Sequence, residues 1–251
     1  MRLDHRLPAR TLIGPLLKVV TAALETDGIA AVCQAPVPRD AEVPAGPAVR
    51  VVTHALPFIS MFTPPLIKPA PFIAPLSREA LPEFMRLAHD QALAVRGDST
   101  FIDVMGHAPG VFAWYRDFYQ RLFRGGGVPV AMKELARYRL STLHGCAFCN
   151  KGNRLDAMSA GLSEAQIAAI DDLEALCWSD AERAVIRLAE QMSLGKSDGV
   201  VSAELHAELV RHFDNEQILE LGVTMAVLTG MAKFLFAFDL VEREGYCQFG
   251  R

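Results

Sequence analysis

Residues 133–161 read KELARYRLSTLHGCAFCNKGNRLDAMSAG, and two helices with a reversal between them account for this text. Pro129 suits the first turn of a helix running through Met132, Leu135, Ala136, Tyr138 and Leu143 towards Gly145, because proline lacks only a donor that the first turn leaves unpaired. Cys146 and Cys149 then open the next helix as a Cys-x-x-C. A helix start offers unpaired amide donors and a positive dipole end, both of which favour thiolate over thiol. The three-residue spacing puts both sulfurs on one face, within reach of a disulfide. A thiolate beside a second thiol is the makings of a dithiol redox centre. Taken alone the pair fits two buried structural cysteines equally well. A zinc site needs a second ligand pair, and Cys33, Cys177 and Cys247 stand isolated with no histidine at ligand spacing.

Working outward, the sequence downstream of Ser77 keeps helical spacing and helical punctuation. A helix starting shortly after Ser77, with Pro82 in its opening turn, would bury Leu81, Phe84, Met85, Ala88 and Ala92. Another follows Pro109-Gly110, with a stripe of Val111, Trp114, Tyr115, Phe118, Leu122 and Phe123, and ends at Gly125-Gly126-Gly127. That glycine run lacks the strand, lysine and serine of a phosphate loop and reads as a flexible hinge. The aromatic group Trp114, Tyr115, Phe118 and Tyr119 reads as packing. Ser163 with Gln166, Ser179 with Glu182 and Asp214 with Gln217 have the form of capping boxes. The expected architecture is all-α: a bundle of seven or eight helices joined by short connections. The last stretch, ILELGVTMAVLTGMAKFLFAFDLV (218–241), is apolar nearly all round. Such a helix belongs at the centre of a core or under another chain, which points to a homo-oligomer.

The first 76 residues follow other rules. Thirteen of the fifteen prolines lie at or before Pro82, and residues 35–76 cannot hold a continuous helix. The same segment carries Val51, Leu56, Phe58, Ile59, Phe62, Leu66, Ile67, Phe72 and Ile73, too much apolar surface for a solvated linker. It should run extended along the helical body or around a neighbouring subunit. Ahead of it, Leu12, Leu16, Val19 and Val20 mark one face of an amphipathic helix; Lys18, Glu25 and Asp27 argue against a secretory signal. The division is therefore 1–76, an N-terminal helix plus a proline-rich wrapping segment, and 77–251, a helical domain.

Composition narrows the function. Of 251 residues 51% are hydrophobic and 22% charged, with a net charge of -4; the pI is near 6.0 and the mean hydropathy +0.20. The basic footprint of a nucleic-acid binder is missing, and no run of eighteen apolar residues spells out a membrane span. Five cysteines without a framework point away from a disulfide-stapled secreted scaffold. The expected location is the cytoplasm.

With these motifs in hand, the sequence resembles the carboxymuconolactone decarboxylase and alkylhydroperoxidase D family. That family's signature is a glutamate, a Cys-x-x-C twelve residues later, and a histidine four beyond the second cysteine. Glu134, Cys146 and Cys149 stand at those spacings. The flanking segments HAPGVFAWYRDFYQRLF, GLSEAQIAAI, WSDAERAVIRLAEQMS and DNEQILELGVTMAVL share its style, so the resemblance runs over roughly residues 77–241. The histidine position holds Asn153.

The resemblance implies an all-helical fold, assembly into trimers or hexamers, and no bound cofactor or metal. It implies a thiol peroxidase in which Cys149 attacks a hydroperoxide, Cys146 resolves, Glu134 is the general base and position 153 carries the proton between Glu134 and Cys149. The partners would be a small-molecule hydroperoxide or organic acid and an external dithiol reductant. Its other branch is a cofactor-independent lyase, decarboxylating a lactone or aromatic acid with Glu134 as base. Histidine accepts and releases a proton near neutral pH, whereas asparagine can only orient a water. His144, two residues before Cys146, is a candidate to stabilise the Cys146 thiolate or replace the missing carrier; the simpler reading has it capping the preceding helix as a cation. Glu134 in turn could do no more than pair with Arg137 or Arg139 on a solvated face.

Overall fold

The computed structural model describes residues 65–196 and 198–249, all within one unit of the chain, Ile59–Arg251. The expected N-terminal helix and the proline-rich segment as far as residue 64 lie outside the described residues.

Helix signals written in the sequence are obeyed closely. Ser77 accepts from the Ala80 amide and starts a 3-10 turn, Arg78–Ala80. Pro82 then stands as N-cap of α1 (Glu83–Arg96), which Gly97 closes in the left-handed region at φ 71°. Next come α2 (Thr100–Met105), α3 (Pro109–Arg124), α4 (Val130–His144), α5 (Ala147–Ser159), α6 (Glu164–Ala168), α7 (Asp180–Gln191), α8 (Ala203–Leu209) and α9 (Asn215–Ala237). All three capping boxes form, each with side chain and backbone exchanged in both directions.

Nine α-helices are therefore described against seven or eight expected. The unforeseen one is α2, whose six residues TFIDVM show no helical period yet are buried from Phe101 to Met105. On α3 the buried positions are Phe112 and Phe123. Val111 and Trp114, expected to face inward, are 56% and 66% exposed; the helix is apolar on more than one side, and its period does not say which side the bundle covers.

Two apolar clusters share the bundle. One gathers Leu135, Ala136, Leu140, Val185, Ile186, Leu188, Leu221 and Met225 from α4, α7 and the first half of α9. The other gathers Met85, Phe101, Phe112, Cys146, Phe148, Leu235 and Leu240 from α1, α2, α3, the start of α5 and the end of α9. Helix α4 packs on α3, α5, α7 and α9, and its apolar residues belong to the first cluster. By length and composition α9 could cross a bilayer, and only 22% of its most apolar window is buried. Leu219 and Val223 stand 70% and 52% exposed, so within this chain α9 is neither fully central nor fully covered.

Residues 65–76 run extended over the second cluster. Ile67 and Arg243 exchange backbone hydrogen bonds of 2.8 and 2.9 Å, and the Leu76 amide donates to Asp103 O. Lys68 and Lys151 both pair with Glu242, whose side chain is 1% exposed. Burial opposes the charge on Glu242, but the two ammonium groups outweigh it and hold the carboxyl below its ordinary range.

The glycine run after α3 is a fixed cradle, not the flexible hinge its composition suggested. Gly127 and Val128 donate to Glu220 Oε2 at 2.8 and 3.1 Å. Gly126 turns at φ 85°, and a Cβ there would stand 2.3 Å from Glu220 Oε1, which leaves glycine as the residue that fits. Lys133, completely buried, donates to Leu122 O, Gly125 O and Glu220 Oε1. Burial opposes the Glu220 charge, but Lys133 and the two amides prevail and keep it ionised. This cradle fixes the first turn of α4, and Glu134 is the next residue.

Candidate active site

The reversal between α4 and α5 is built on Gly145. It adopts φ 67° and its amide bonds the carbonyls of Ser141 and Thr142, the left-handed closure that glycine adopts without steric cost. A Cβ at Gly145 would also stand 2.9 Å from the Cα of Cys247. The segment after α9 thus lies directly on the turn. Phe148 and Glu244 donate their amides to Glu242 O and Gly145 O.

Cys146 is the N-cap of α5, its sulfur accepting from the Cys149 amide at 3.2 Å. The two cysteines are joined as a disulfide with their Cα atoms 5.2 Å apart. Cys146 is 1% exposed and Cys149 is half-buried. Of the two sulfur-bearing residues, Cys149 is the one a reactant can approach and Cys146 the one placed to close on it.

One turn further along the helix, Asn153 is buried and its Nδ2 approaches Arg137 O at 3.5 Å, the weak limit of a hydrogen bond. Arg137 stands between it and the carboxylate. Its Nε donates to Glu134 Oε2 at 2.6 Å, Nη2 pairs with both Glu134 and Asp156, and Nη1 donates to Tyr119 Oη at 2.7 Å. The rings of Phe123 and Tyr119 lie 5.1 and 5.6 Å from the guanidinium carbon. Burial opposes the Arg137 charge, but Tyr119, Glu134 and Asp156 more than restore it. Glu134 does pair with Arg137, though the pair is buried and not on a solvated face: the two side chains are 10% and 8% exposed. Burial raises the Glu134 carboxyl above its ordinary range, and Arg137 offsets only part of that rise. A carboxylate so placed binds a proton more readily than a free one, as a general base near neutrality must.

His144 lies apart from this group. Its Nε2 accepts the Leu194 amide at 3.0 Å, its ring meets Phe249 edge-on, and its carbonyl receives the Cys247 thiol at 3.1 Å. Burial pushes its pKa down to about 4, so the ring is neutral and supplies no cation to the end of α4. The structure therefore brings Glu134, Arg137, Asn153 and the cysteine pair around the α4–α5 seam, and turns His144 towards the loop at Leu194.

Arg137 was expected as a partner of Glu134, but Asp156 and Tyr119 were not expected at the site. Asp156 follows Asn153 by three residues, as Arg137 follows Glu134, a helical neighbour spacing that does mark it. Tyr119 carries no such mark. A cavity of about 380 Å3, lined from α2, α3 and the end of α9, has an apolar lining that includes Val104, Met105, Trp114, Tyr115, Phe234 and Phe238. Tyr115 forms a shared wall: it meets Phe101 edge-on and its ring lies 5.6 Å from that of Tyr119, the Arg137 partner. Trp114 and Tyr115, read as packing in the sequence, line this space.

A cysteine pair at the first turn of one bundle helix, with a buried carboxylate on the helix before it, defines a helical dithiol protein. Residues 109–191 match the carboxymuconolactone decarboxylase family, and the all-helical fold is similar to that of an alkylhydroperoxidase D core. An uncharacterized protein of Bacillus subtilis strain 168, YdfG, is 33% identical over 90 residues, 36% of this chain and 60% of the relative. The match thus spans less than two thirds of that relative's length. Among solved structures, the debrominase Bmp8 in a cysteine-to-alanine form with 2,3,4-tribromopyrrole superposes with a TM-score of 0.57 at 18% identity, over 68% of this chain and 91% of that one. The alkylhydroperoxidase D core of an uncharacterized peroxidase-related protein from Ralstonia eutropha JMP134 gives 0.56 at 16%, over 69% and 93%. At these identities the likeness is one of fold.

Proposed function

We propose that the protein is a dithiol oxidoreductase of the alkylhydroperoxidase D type that reduces an organic hydroperoxide. The observation that carries this reading is the pairing of a half-exposed Cys149 with a buried Cys146 at the start of α5, with a buried carboxylate of raised proton affinity on the helix before it. The Cys149 thiolate attacks the distal peroxide oxygen, the O–O bond breaks, and the departing alkoxide takes a proton to leave as the alcohol. Cys149 is then a sulfenic acid. The Cys146 thiol attacks that sulfur, expelling water and closing the disulfide. An external dithiol reopens it by exchange, becoming oxidised itself. Glu134 receives the thiol proton on activation, and Asn153 holds a water on the path between them, since an amide side chain can orient a water but not carry the proton. The apolar cavity lined by Tyr115 receives the organic part of the hydroperoxide.

A second reading uses the same pair on a halogenated ring. Removal of bromine as bromide, with hydrogen in its place, takes the two electrons that two thiols release on forming a disulfide. The fold shared with the debrominase Bmp8 and the apolar cavity favour it. The lyase alternative keeps Glu134 and needs neither sulfur.

One set of measurements separates the three. With dithiothreitol in excess, the protein should consume cumene hydroperoxide, and Cys149→Ser should lose at least 99% of that activity. Full activity in Cys149→Ser refutes the assignment. Bromide release from a bromopyrrole selects the second reading, and product from a lactone acid with both cysteines replaced by serine selects the lyase.

A further inference from the structure

Arg96 ends α1, ahead of the family-matched segment, and reaches across to the dithiol helix. Its Nη1 donates to Phe148 O at 2.9 Å and lies 3.5 Å from Cys149 O. The guanidinium carbon lies 4.8 Å from the centre of the Phe148 ring. Gly152 makes the seat: a Cβ there would stand 2.1 Å from Arg96 Cζ and Nη1. The side chain is half-buried, and burial, followed by repulsion from Arg137, works against its charge.

The charges around this turn otherwise balance. On α5 itself Lys151 is neutralised by Glu242, and Arg154 by Glu164 of α6. From α4, Arg137 is shared between Glu134 and Asp156, and His144 is neutral. From α3, Tyr115 and Tyr119 are held protonated by burial. From the segment after α9, Glu244 accepts from Asn150 and Tyr246 is raised by burial. On α1, His89 faces Asp103 and not this turn. Arg96 has no ion pair among the described residues. It is a cation in partial burial against the turn that carries Cys149; Asp156 attracts it, but that carboxylate is already bound by Arg137.

We infer that Arg96 is a positioning residue for the dithiol: seated on Gly152, it favours the Cys149 thiolate electrostatically, supplying the positive charge that a histidine at position 153 would otherwise bring. Nearby opposite charge favours an ionised group most where solvent is partly excluded. This rests on the dithiol reading above, but its test does not require peroxide turnover.

The experiment is alkylation of the reduced full-length chain by iodoacetamide from pH 5 to 9, with the Cys149 adduct resolved by mass spectrometry. Arg96→Met should move the Cys149 profile to higher pH and slow alkylation at pH 6 by about tenfold. Arg96→Lys, which keeps the charge but loses the planar fork, should recover part of it. Gly152→Ala leaves residue 96 unchanged but evicts the guanidinium, and should shift the profile in the same direction as Arg96→Met. It also raises helix propensity, so it reports even where Arg96→Met fails to fold. A Cys149 profile within twofold of the parent in a folded Gly152→Ala protein overturns the inference. If the profile shifts while the parent consumes no peroxide, the peroxidase reading falls and this one stands.

Discussion

Restoring histidine at position 153 is the most direct trial of the proton path. Asn153 is 6% exposed, and its hydrogen bond to Arg137 O, at 3.5 Å, is long enough that losing it costs less than the roughly 1 kcal/mol of an ordinary hydrogen bond. Its replacement by a larger ring overfills the site, for which about 1–3 kcal/mol of lost stability is expected. Against this stands a kinetic gain: a positioned acid–base group contributes about 100- to 10,000-fold. Two features reduce it here. Asn153 already serves through a water, and Arg137, beside it and firmly charged, lowers the proton affinity of a neighbouring imidazole. Asn153→His should therefore raise kcat/KM for cumene hydroperoxide by about 10- to 100-fold at pH 7. The gain should vanish below about pH 5.5, where the imidazole stays protonated. Peroxide loss under excess dithiothreitol, followed from pH 5 to 8, measures it. Asn153→Gln, equally bulky and unable to titrate, should show no gain. A folded Asn153→His protein whose rate stays within twofold of the parent across that range would show that no proton passes through position 153.

Two further outcomes concern the frame around the site. Lys133→Met leaves Glu220 without its ammonium partner; removing one member of a buried pair costs about 3–5 kcal/mol, reduced here to about 2–4 because Gly127 and Val128 still bond the carboxylate. Urea unfolding reads it, and a change under 0.5 kcal/mol would mean the cradle does not hold α4. His144 has its pKa depressed to about 4 by burial, below the roughly 6.5 of the unfolded chain. The unfolded state therefore binds the extra proton, so this contribution is complete above pH 6.5 and is lost as pH falls towards 4, about 3 kcal/mol in all. His144→Asn should flatten that acid loss in denaturant midpoints between pH 7 and 4.5 and leave Cys149 alkylation unchanged. An unflattened loss contradicts the burial argument, and a shifted alkylation profile would return His144 to the dithiol.

Local signals in the sequence were reliable where the physics is local. Ser163, Ser179 and Asp214 each close a capping box within four residues, and Gly145 and the cysteine spacing place the reversal and the disulfide. What depends on distant partners was not legible. The carboxylate that fixes Gly125-Gly126-Gly127 comes from Glu220, 93 residues beyond Gly127, so three glycines looked like slack. An arginine in the last turn of a helix is commonly solvated, and nothing local to Arg96 shows that Gly152 receives it. The inward face of α3 was misjudged for a related reason: with apolar residues on several sides, Phe112 and not Trp114 is chosen by packing against Phe101 of α2. The Glu134–Arg137 spacing showed that the pair could form but not that it would be enclosed, since its cover comes from Tyr119 on α3 and Asp156 on α5.

The paired lysines on Glu242 have a practical corollary for anyone shortening this protein. Residue 77, where helical spacing begins, is the natural place to cut, yet such a truncation discards Lys68 and the Ile67 bridge with it. Lys151 alone would then have to satisfy an acid that is 1% exposed, at the foot of α5. A fragment meant to keep native cysteine chemistry has to begin upstream of Ile67.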